Sequence, residues 1–233
     1  MNRTLHNAIL FIIPLLICLC RPVENGPTTT GTTYYLSPEG DNSASGTSEE
    51  SAWRSIDKVN ATTFGPGDRI LFEGGETFNG SLNFDRADSG TPDNPVTVGS
   101  YGTGRATISS GSENGFYGKN TSGFVVRDLI FAGAGATVDA DFSGVVFYTD
   151  LDTVKPEFIR IDNLKVSGYR WDGIGVHGYK KEGGSGFRDV RITNCRVHDN
   201  GDKGITSSGP MPPEDWGTKA FMLVTARCTT SGV

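Results

Sequence analysis

The chain has 233 residues, a length that suits one domain or two small ones. Its 32 glycines are about twice the usual share and follow no Gly-X-Y period, so collagen is excluded and long helices are disfavoured. The formal net charge of −6 at pH 7 leaves no basic surplus to neutralise a phosphate backbone, so we expect no nucleic-acid partner. This composition predicts turn-rich β structure.

Residues 1–20 have the pattern of a secretory signal peptide. Arg3 and His6 precede an uninterrupted apolar run of 13 residues, 8–20. A membrane-spanning helix needs about 18 to 20 apolar residues, so this run is too short to be an anchor. Residues 21–33 are predicted to be a linker. We therefore expect a secreted or cell-surface protein with no stable membrane insertion after signal cleavage.

The folded body is expected to span residues 34–233 and to be a monomer. Residues 34–36 predict a first strand. Residues 51–60 predict one short amphipathic helix, because acidic residues precede apolar side chains at helical spacing. Those apolar side chains are Trp53, Ile56 and Val59. This helix would cover one end of the domain.

Internal repeats dominate the second half of the chain. Four segments share one pattern of alternating apolar residues, which points one side of each segment into a core. They are residues 123–133, 157–168, 188–200 and 222–232, with Leu129, Leu164, Cys195 and Cys228 in one column at spacings of 35, 31 and 33. A second short strand follows each of the first three segments, at residues 143–148, 172–177 and 203–208.

A repeat of about 30 residues with two or three strands and no helix cannot be a βαβ unit, which needs a crossover helix. The strands must instead stack on their own copies, which predicts an all-β parallel solenoid. The column Asp128, Asn163 and Asn194 fits a left-handed bend, and its side chains can form a ladder.

In the fourth segment, polar residues occupy some of the positions that are apolar and inward-facing in the first three segments. Cys195 and Cys228 stack within disulfide reach, although buried free thiols are the favoured interpretation.

Several strings carry a family resemblance: YYLSPEGDNSASGTS, AWRSIDKVN, GPGDRILFEGG, SGTPDNPVTVGSYG and coils of the type IxNCxVHDNGxxGI. From about residue 33 to its end, the chain resembles secreted right-handed parallel β-helix proteins of the pectate-lyase-like superfamily. The resemblance implies a right-handed parallel β-helix with one short N-terminal capping helix. Members of that family usually continue for many more coils, so the domain 34–233 is expected to be incomplete at its C-terminus.

The resemblance also implies an activity: polysaccharide lyase chemistry, the β-elimination of uronate-containing glycans. In that chemistry a Ca²⁺ ion held by carboxylates neutralises the uronate, and a Lys or Arg removes the C5 proton. The expected partner is then an acidic polysaccharide. The alternatives are a non-catalytic carbohydrate-binding or cell-surface module, or an inactive fragment.

Asp172 and Lys203 are candidates for this chemistry. Each precedes a Gly-Ile pair, so the two side chains are expected about 4.8 Å apart on adjacent coils. Lys203 is the candidate base, and Asp172, Asp199 and Asp202 are the candidate Ca²⁺ ligands. A lysine among three carboxylates has a raised pKa, the wrong direction for a base unless calcium or burial offsets it. A raised lysine pKa favours the alternative, which is a surface turn held by salt bridges.

A second cluster offers aromatic and basic side chains to a sugar. Alternation along the second strand sends Tyr148, His177 and Ser208 outward in one column. Trp171 lies on the preceding turn, and Lys180 lies in the loop that follows. Tyr148, Trp171, His177 and Lys180 are therefore the candidate substrate-binding residues, with simple shielding of the solenoid flank as the alternative.

Overall fold

In a computed structural model, which describes residues 31–179, 184–209 and the backbone of 222–228, the chain is nearly all β. The predicted solenoid is confirmed: the strands pair in parallel and form about four turns. The strands in chain order are β1 (Thr33–Leu36), β2 (Arg69–Glu73), β3 (Thr77–Asn79), β4 (Leu82–Phe84), β5 (Val96–Tyr101), β6 (Ala106–Gly111), β7 (Phe116–Lys119), β8 (Phe124–Arg127), β9 (Leu129–Gly133), β10 (Val145–Thr149), β11 (Glu157–Asp162), β12 (Lys165–Ser167), β13 (Ile174–Gly178), β14 (Arg188–His198), β15 (Ile205–Ser208) and β16 (Met222–Cys228).

Two sheets run the length of the solenoid. The larger has eleven strands in the order β1-β2-β5-β8-β11-β14-β12-β9-β6-β3, with β16 paired to β14. The smaller has five strands in the order β15-β13-β10-β7-β4. Apolar side chains from both sheets fill one core, because each strand points alternate residues inward.

The N-terminal helix is shorter than the sequence predicts. A 3₁₀ turn covers Glu49–Ser51 and the α-helix, α1, covers only Ile56–Asn60. Between them Trp53 is extended, because its N–H donates to the Tyr35 carbonyl and its carbonyl accepts from Ser37 N–H. Pairing with β1 therefore overrides helix propensity at Trp53, although Trp53, Ile56 and Val59 are buried as expected. Among the described residues no helix is long and apolar enough to cross a bilayer.

The predicted core column is confirmed for three coils. Ile130 pairs with Lys165 and Lys165 pairs with Arg196, which aligns the preceding Leu129, Leu164 and Cys195. All three of those side chains are buried. The signal peptide and most of the linker, residues 1–30, lie outside the described residues.

In the fourth coil the predicted alignment is wrong. Val190 pairs with Met222, one residue short of the predicted spacing of 33, and a β-bulge between Thr193 and Cys195 shifts the register by one more residue. Cys195 therefore pairs with Ala226, and Cys228 pairs with Val197. The positions that match the core column of β14 are therefore apolar, not polar: Met222, Val224, Ala226 and Cys228.

This register also separates the two cysteines, so the expected side-by-side stacking of Cys195 and Cys228 does not occur. Cys195 is a buried free thiol, and burial raises its pKa to about 11. A thiol in that environment is almost wholly protonated at neutral pH and hence unreactive.

The predicted left-handed bend is confirmed at three stacked positions. Asp128, Asn163 and Asn194 have φ of 56°, 52° and 55°. Asn163 Nδ2 donates to Asp128 Oδ1 at 2.8 Å, as a ladder requires. Asn194 Nδ2 instead donates to Asp162 Oδ1 at 2.8 Å, so the ladder shifts by one residue at its next step.

We expect Asn163→Val to lower the free energy of unfolding by about 1–2 kcal/mol, because a β-branched residue is strained at positive φ. Asn163→Gly removes the same hydrogen bond but tolerates the backbone angle, so it should cost less. Urea unfolding of the two variants measures the difference. Equal stability of Asn163→Val and wild type would contradict this account of the bend.

A glycine stands just before the strand of the smaller sheet in successive coils, at positions 115, 144 and 173. Gly144 N–H donates to the Asp172 carbonyl and Gly173 N–H donates to the Lys203 carbonyl, both at 2.9 Å. A Cβ on Gly173 would lie 2.2 Å from Val197 Cγ1, so only glycine fits against the larger sheet here. This close approach fixes the position of Asp172, the residue before Gly173.

Candidate functional site

The candidate site lies on the outer face of the five-stranded sheet, which we define by the outward side chains of β7, β10, β13 and β15. Lys119, Tyr148, His177 and Ser208 pair in register and form one column across four strands. The sequence-predicted column Tyr148, His177 and Ser208 is thus confirmed. Ser207 aligns with the buried Val176 but is exposed, because β15 is the edge strand of this sheet in the described structure.

His177 is held in one orientation by its surroundings. Its Nδ1 lies 2.8 Å from Ser208 Oγ, and its Nε2 lies 3.4 Å from Asp172 Oδ2. The imidazole lies over Gly175, where an added Cβ would come within 2.4 Å of Nε2. Gly175 therefore leaves the space through which His177 reaches Asp172.

Asp172 is a buried carboxyl group, only 9% exposed, at the start of β13. Its Oδ1 is fully buried and has no hydrogen-bond partner among the described residues. Burial raises the pKa of Asp172, while the charges of His177 and Lys203 oppose that shift and the charge of Asp202 adds to it. A carboxyl group in this environment holds a proton more tightly than an exposed one does.

Lys203 lies beside Asp172 in the adjacent coil, as the sequence predicts, since Ile174 pairs with Ile205. Its Nζ lies 2.5 Å from Asp202 Oδ2, and this hydrogen bond raises the pKa of Lys203. The ion pair is exposed to solvent. The direction of the pKa shift is the one expected for the salt-bridged turn.

The three carboxylates predicted to hold Ca²⁺ each face a different basic side chain. Asp172 faces His177, Asp202 faces Lys203, and Asp199 Oδ2 lies 2.7 Å from His198 Nδ1. Over the described ranges, no three His, Cys, Asp or Glu side chains converge closely enough to hold a metal ion. The calcium site remains a prediction that would require these ion pairs to rearrange.

The aromatic candidates border the same site. Trp171, next to Asp172, is 43% exposed, and its Nε1 donates to Asp141 Oδ1 at 2.8 Å. The Arg170 guanidinium lies 5.7 Å from the Trp171 ring centroid. Tyr148 precedes His177 in the column, and its hydroxyl donates to the Tyr179 carbonyl at 3.4 Å. Lys180 lies outside the described residues.

The sequence interpretation missed the preceding coil. Tyr117 and Lys119 extend the outer face, and Lys119 Nζ lies 3.3 Å from Asp150 Oδ2. The signal that would have found them is Gly115, which lies 29 residues before Gly144, the same spacing as Gly144 to Gly173. An aromatic residue follows Gly115 where the later coils have Val or Ile, which concealed the repeat.

The fold defines a parallel β-helix protein, and no family model matches the sequence. A lacto-N-biosidase from Bifidobacterium longum subsp. longum is 40% identical over 94 residues, which cover 38% of this chain and 6% of that protein. The chain thus matches a small part of that protein's length.

Solved structures share the fold. A GH136 lacto-N-biosidase from Eubacterium ramulus superposes with a TM-score of 0.60 at 19% identity, covering 76% of this chain and 36% of that one. An alginate lyase from Paenibacillus sp. gives a TM-score of 0.52 at 20% identity, covering 75% of this chain and 56% of that one. Both likenesses support the β-helix architecture, and this chain spans well under two thirds of each.

Proposed function

We propose that this chain is part of a carbohydrate-active β-helix protein and binds a glycan along the outer face of the five-stranded sheet. The observation that carries the proposal is the row of Tyr148 and His177 on consecutive strands, beside the exposed ring of Trp171. Aromatic rings offer flat apolar surfaces with polar edges, which suit the mixed surface of a sugar. The 40% identity to a lacto-N-biosidase segment and the shared fold with an alginate lyase support it.

The direction of the column supports one orientation for the proposed glycan. Strands in a sheet lie about 4.8 Å apart, so side chains in one column can contact successive positions of an extended sugar chain. The column Lys119, Tyr148, His177 and Ser208 runs along the solenoid axis. The glycan is therefore expected to lie across the strands, parallel to that axis.

An acidic glycan suits this face better than a neutral one. Lys119 and Lys203 each form an exposed ion pair, with Asp150 and Asp202 respectively. Exposed ion pairs are weak, so a uronate carboxylate can compete for the ammonium groups. We therefore propose a uronate-containing polysaccharide as the ligand class.

For the reaction we propose β-elimination with Lys203 as the base. Lys203 takes the C5 proton, the C4–O bond breaks, and the leaving oxygen is protonated while a C4–C5 double bond forms. Asp202 holds Lys203 in its charged form, so the base must first be released. Ca²⁺ bound by Asp172, Asp199 and Asp202 would release it and neutralise the uronate, which makes the reaction calcium-dependent.

Glycosidic hydrolysis is the second candidate, favoured by the identity to a lacto-N-biosidase segment. The raised pKa of Asp172 suits a group that donates a proton to a leaving oxygen. The product separates the chemistries: elimination yields an unsaturated sugar that absorbs in the near ultraviolet, hydrolysis yields a saturated one, and a binding module yields neither.

We expect Trp171→Ala to weaken glycan binding about tenfold, the effect of losing about 1.4 kcal/mol of contact energy. Affinity electrophoresis in gels containing pectate or alginate measures the change. Tyr101→Ala is the matched control, because Tyr101 is half-buried on β5 of the other sheet and should leave binding unchanged. Equal retardation of Trp171→Ala and wild type, or no retardation of either, would contradict the proposed binding face.

A further inference from the structure

Two residues assigned above, His177 and Asp172, also form an arrangement with Ser208 that neither glycan binding nor elimination requires. Ser208, His177 and Asp172 form a line that runs from an exposed hydroxyl, through an imidazole, to a buried carboxyl group. The Ser208 Oγ to His177 Nδ1 distance is 2.8 Å, and the His177 Nε2 to Asp172 Oδ2 distance is 3.4 Å. A base within hydrogen-bond reach of a hydroxyl, itself oriented by a third group, is the signature of an activated nucleophile.

We propose that Ser208, His177 and Asp172 form an acyl-transfer site that hydrolyses small carboxylic esters. The tautomer that this requires follows from the geometry. The Asp172 carboxylate, whose Oδ2 lies 3.4 Å from His177 Nε2, favours the tautomer with its proton on Nε2, which leaves the lone pair of Nδ1 facing the Ser208 hydroxyl. His177 can then take the proton of Ser208 as the hydroxyl attacks.

The surrounding strands fix this imidazole in place. The ring lies over position 175, where only a glycine leaves room for it in this orientation. Tyr148 lies on the neighbouring strand at the same level as His177, on the side opposite Ser208. Rotation of the ring away from Asp172 and Ser208 would give up both polar contacts, so the line is preorganised before a substrate binds.

His198 provides a comparison within the same chain. Its Nδ1 lies 2.7 Å from Asp199 Oδ2, but its Nε2 is buried without a hydrogen-bond partner among the described residues. In the described part of the chain, no hydroxyl therefore lies within hydrogen-bond distance of His198 Nε2. The arrangement at His177 differs in having Ser208 on the second ring nitrogen.

The reaction balances with water as the co-reactant. Ser208 Oγ bonds to the acyl carbon while its proton moves to His177 Nδ1. His177 then gives that proton to the leaving alcohol oxygen as the ester C–O bond breaks, which leaves an acyl-serine. Water attacks the acyl carbon and passes a proton to His177. The Ser208–acyl bond then breaks, His177 returns that proton to Ser208 Oγ, and a carboxylic acid is released.

Lys203 lies near the Asp172 end of this line. Its ammonium group lies close enough to influence the ionisation of Asp172, although it is held by Asp202. If the proposed glycan binds here, the natural ester is an acyl group on a sugar hydroxyl, and this substrate assignment rests on the proposed function.

The test uses the full-length chain with a fluorophosphonate probe and with 4-nitrophenyl acetate, neither of which depends on glycan binding. Mass spectrometry is expected to find the probe bound to Ser208. Ser208→Ala and His177→Ala should lose the label and reduce ester hydrolysis at least 100-fold. Ser207→Ala, the exposed neighbour that aligns with Val176, is the matched control and should behave as wild type.

Gly175→Ala tests the positioning of the imidazole without replacing any of the three reacting residues. The added methyl group should displace the ring and reduce labelling at least tenfold, while far-ultraviolet circular dichroism stays unchanged. Wild-type protein that is not labelled at Ser208, or Ser208→Ala that hydrolyses the ester at the wild-type rate, would overturn the proposal. Labelled Ser208 without glycan retardation would retain the acyl-transfer site and remove only the sugar-ester substrate.

Discussion

Gly173→Ala is expected to lower the free energy of unfolding by about 3 kcal/mol, the upper part of the range for overpacking a core. The new Cβ would lie 2.2 Å from Val197 Cγ1 and 2.8 Å from the Gly204 carbonyl oxygen. One contact is to the facing sheet and the other is to the next coil, so the methyl group cannot move aside without disturbing the strand spacing. Thermal unfolding followed by circular dichroism measures the loss.

Gly65→Ala is the matched control, because an added Cβ there meets nothing within 4 Å. It should leave the melting temperature within about a degree or two of wild type, as is usual for a surface substitution. A Gly173→Ala protein as stable as the Gly65→Ala protein would show that the coils are not stacked as described. Loss of soluble Gly173→Ala protein, with Gly65→Ala intact, is the extreme form of the expected result.

Lys203→Ala is expected to reduce the rate of calcium-dependent elimination by about 10²–10⁴-fold, the usual contribution of a general base. The measurement is the initial rate at which the near-ultraviolet absorbance of the unsaturated product increases with pectate or alginate as the substrate. Because a lysine amine is mostly protonated at neutral pH, the neutral base is scarce there even after Ca²⁺ has released Lys203 from Asp202, and the rate should rise with pH until the lysine is deprotonated. Chelation of Ca²⁺ should abolish the product.

Lys165→Ala is the control for this experiment, because Lys165 lies on β12 of the other sheet. It should retain the wild-type rate and the same pH dependence. Full activity of Lys203→Ala would exclude Lys203 as the base, and a wild-type protein without unsaturated product would exclude elimination on the glycans tested. Lys203 is exposed, so its removal should hardly change stability.

The fold was predictable because stacked coils repeat the same side-chain type at the same position. Leu129, Leu164 and Cys195 align as the sequence columns predict, since each occupies one inward position of a period-two pattern. The fourth coil was misaligned because its register is one residue off from Val190 onward, and the bulge after Thr193 then adds a residue to one strand only. Such a one-sided insertion leaves no mark on the sequence of its partner strand.

The prediction of one short N-terminal helix is confirmed, but the helix begins later than predicted, for a tertiary reason. Helical spacing of the apolar residues in the segment 51–60 correctly predicted that Trp53, Ile56 and Val59 are buried. The backbone of Trp53 nevertheless pairs with β1, a contact between distant residues that local periodicity does not report. Only the last turn of the segment, α1, is helical.

The site was predictable in its alignment but not in its contacts. The repeated Gly-Ile pairs correctly placed Asp172 beside Lys203, and alternation correctly placed His177 outward between Tyr148 and Ser208. The pairing of His177 with Asp172 escaped prediction, because it depends on the side-chain orientation and on the gap above Gly175. Strand periodicity determines which face a residue occupies, and it leaves the direction of the side chain on that face open.

The most direct test of the proposed binding face is a crystal structure of the protein soaked with an oligouronate. We predict sugar rings over Tyr148 and His177 with Trp171 at the border, and a glycan chain that crosses the strands parallel to the solenoid axis. An oligouronate bound to the outer surface of the eleven-stranded sheet, or an outer face left bare at saturating ligand, would contradict the account.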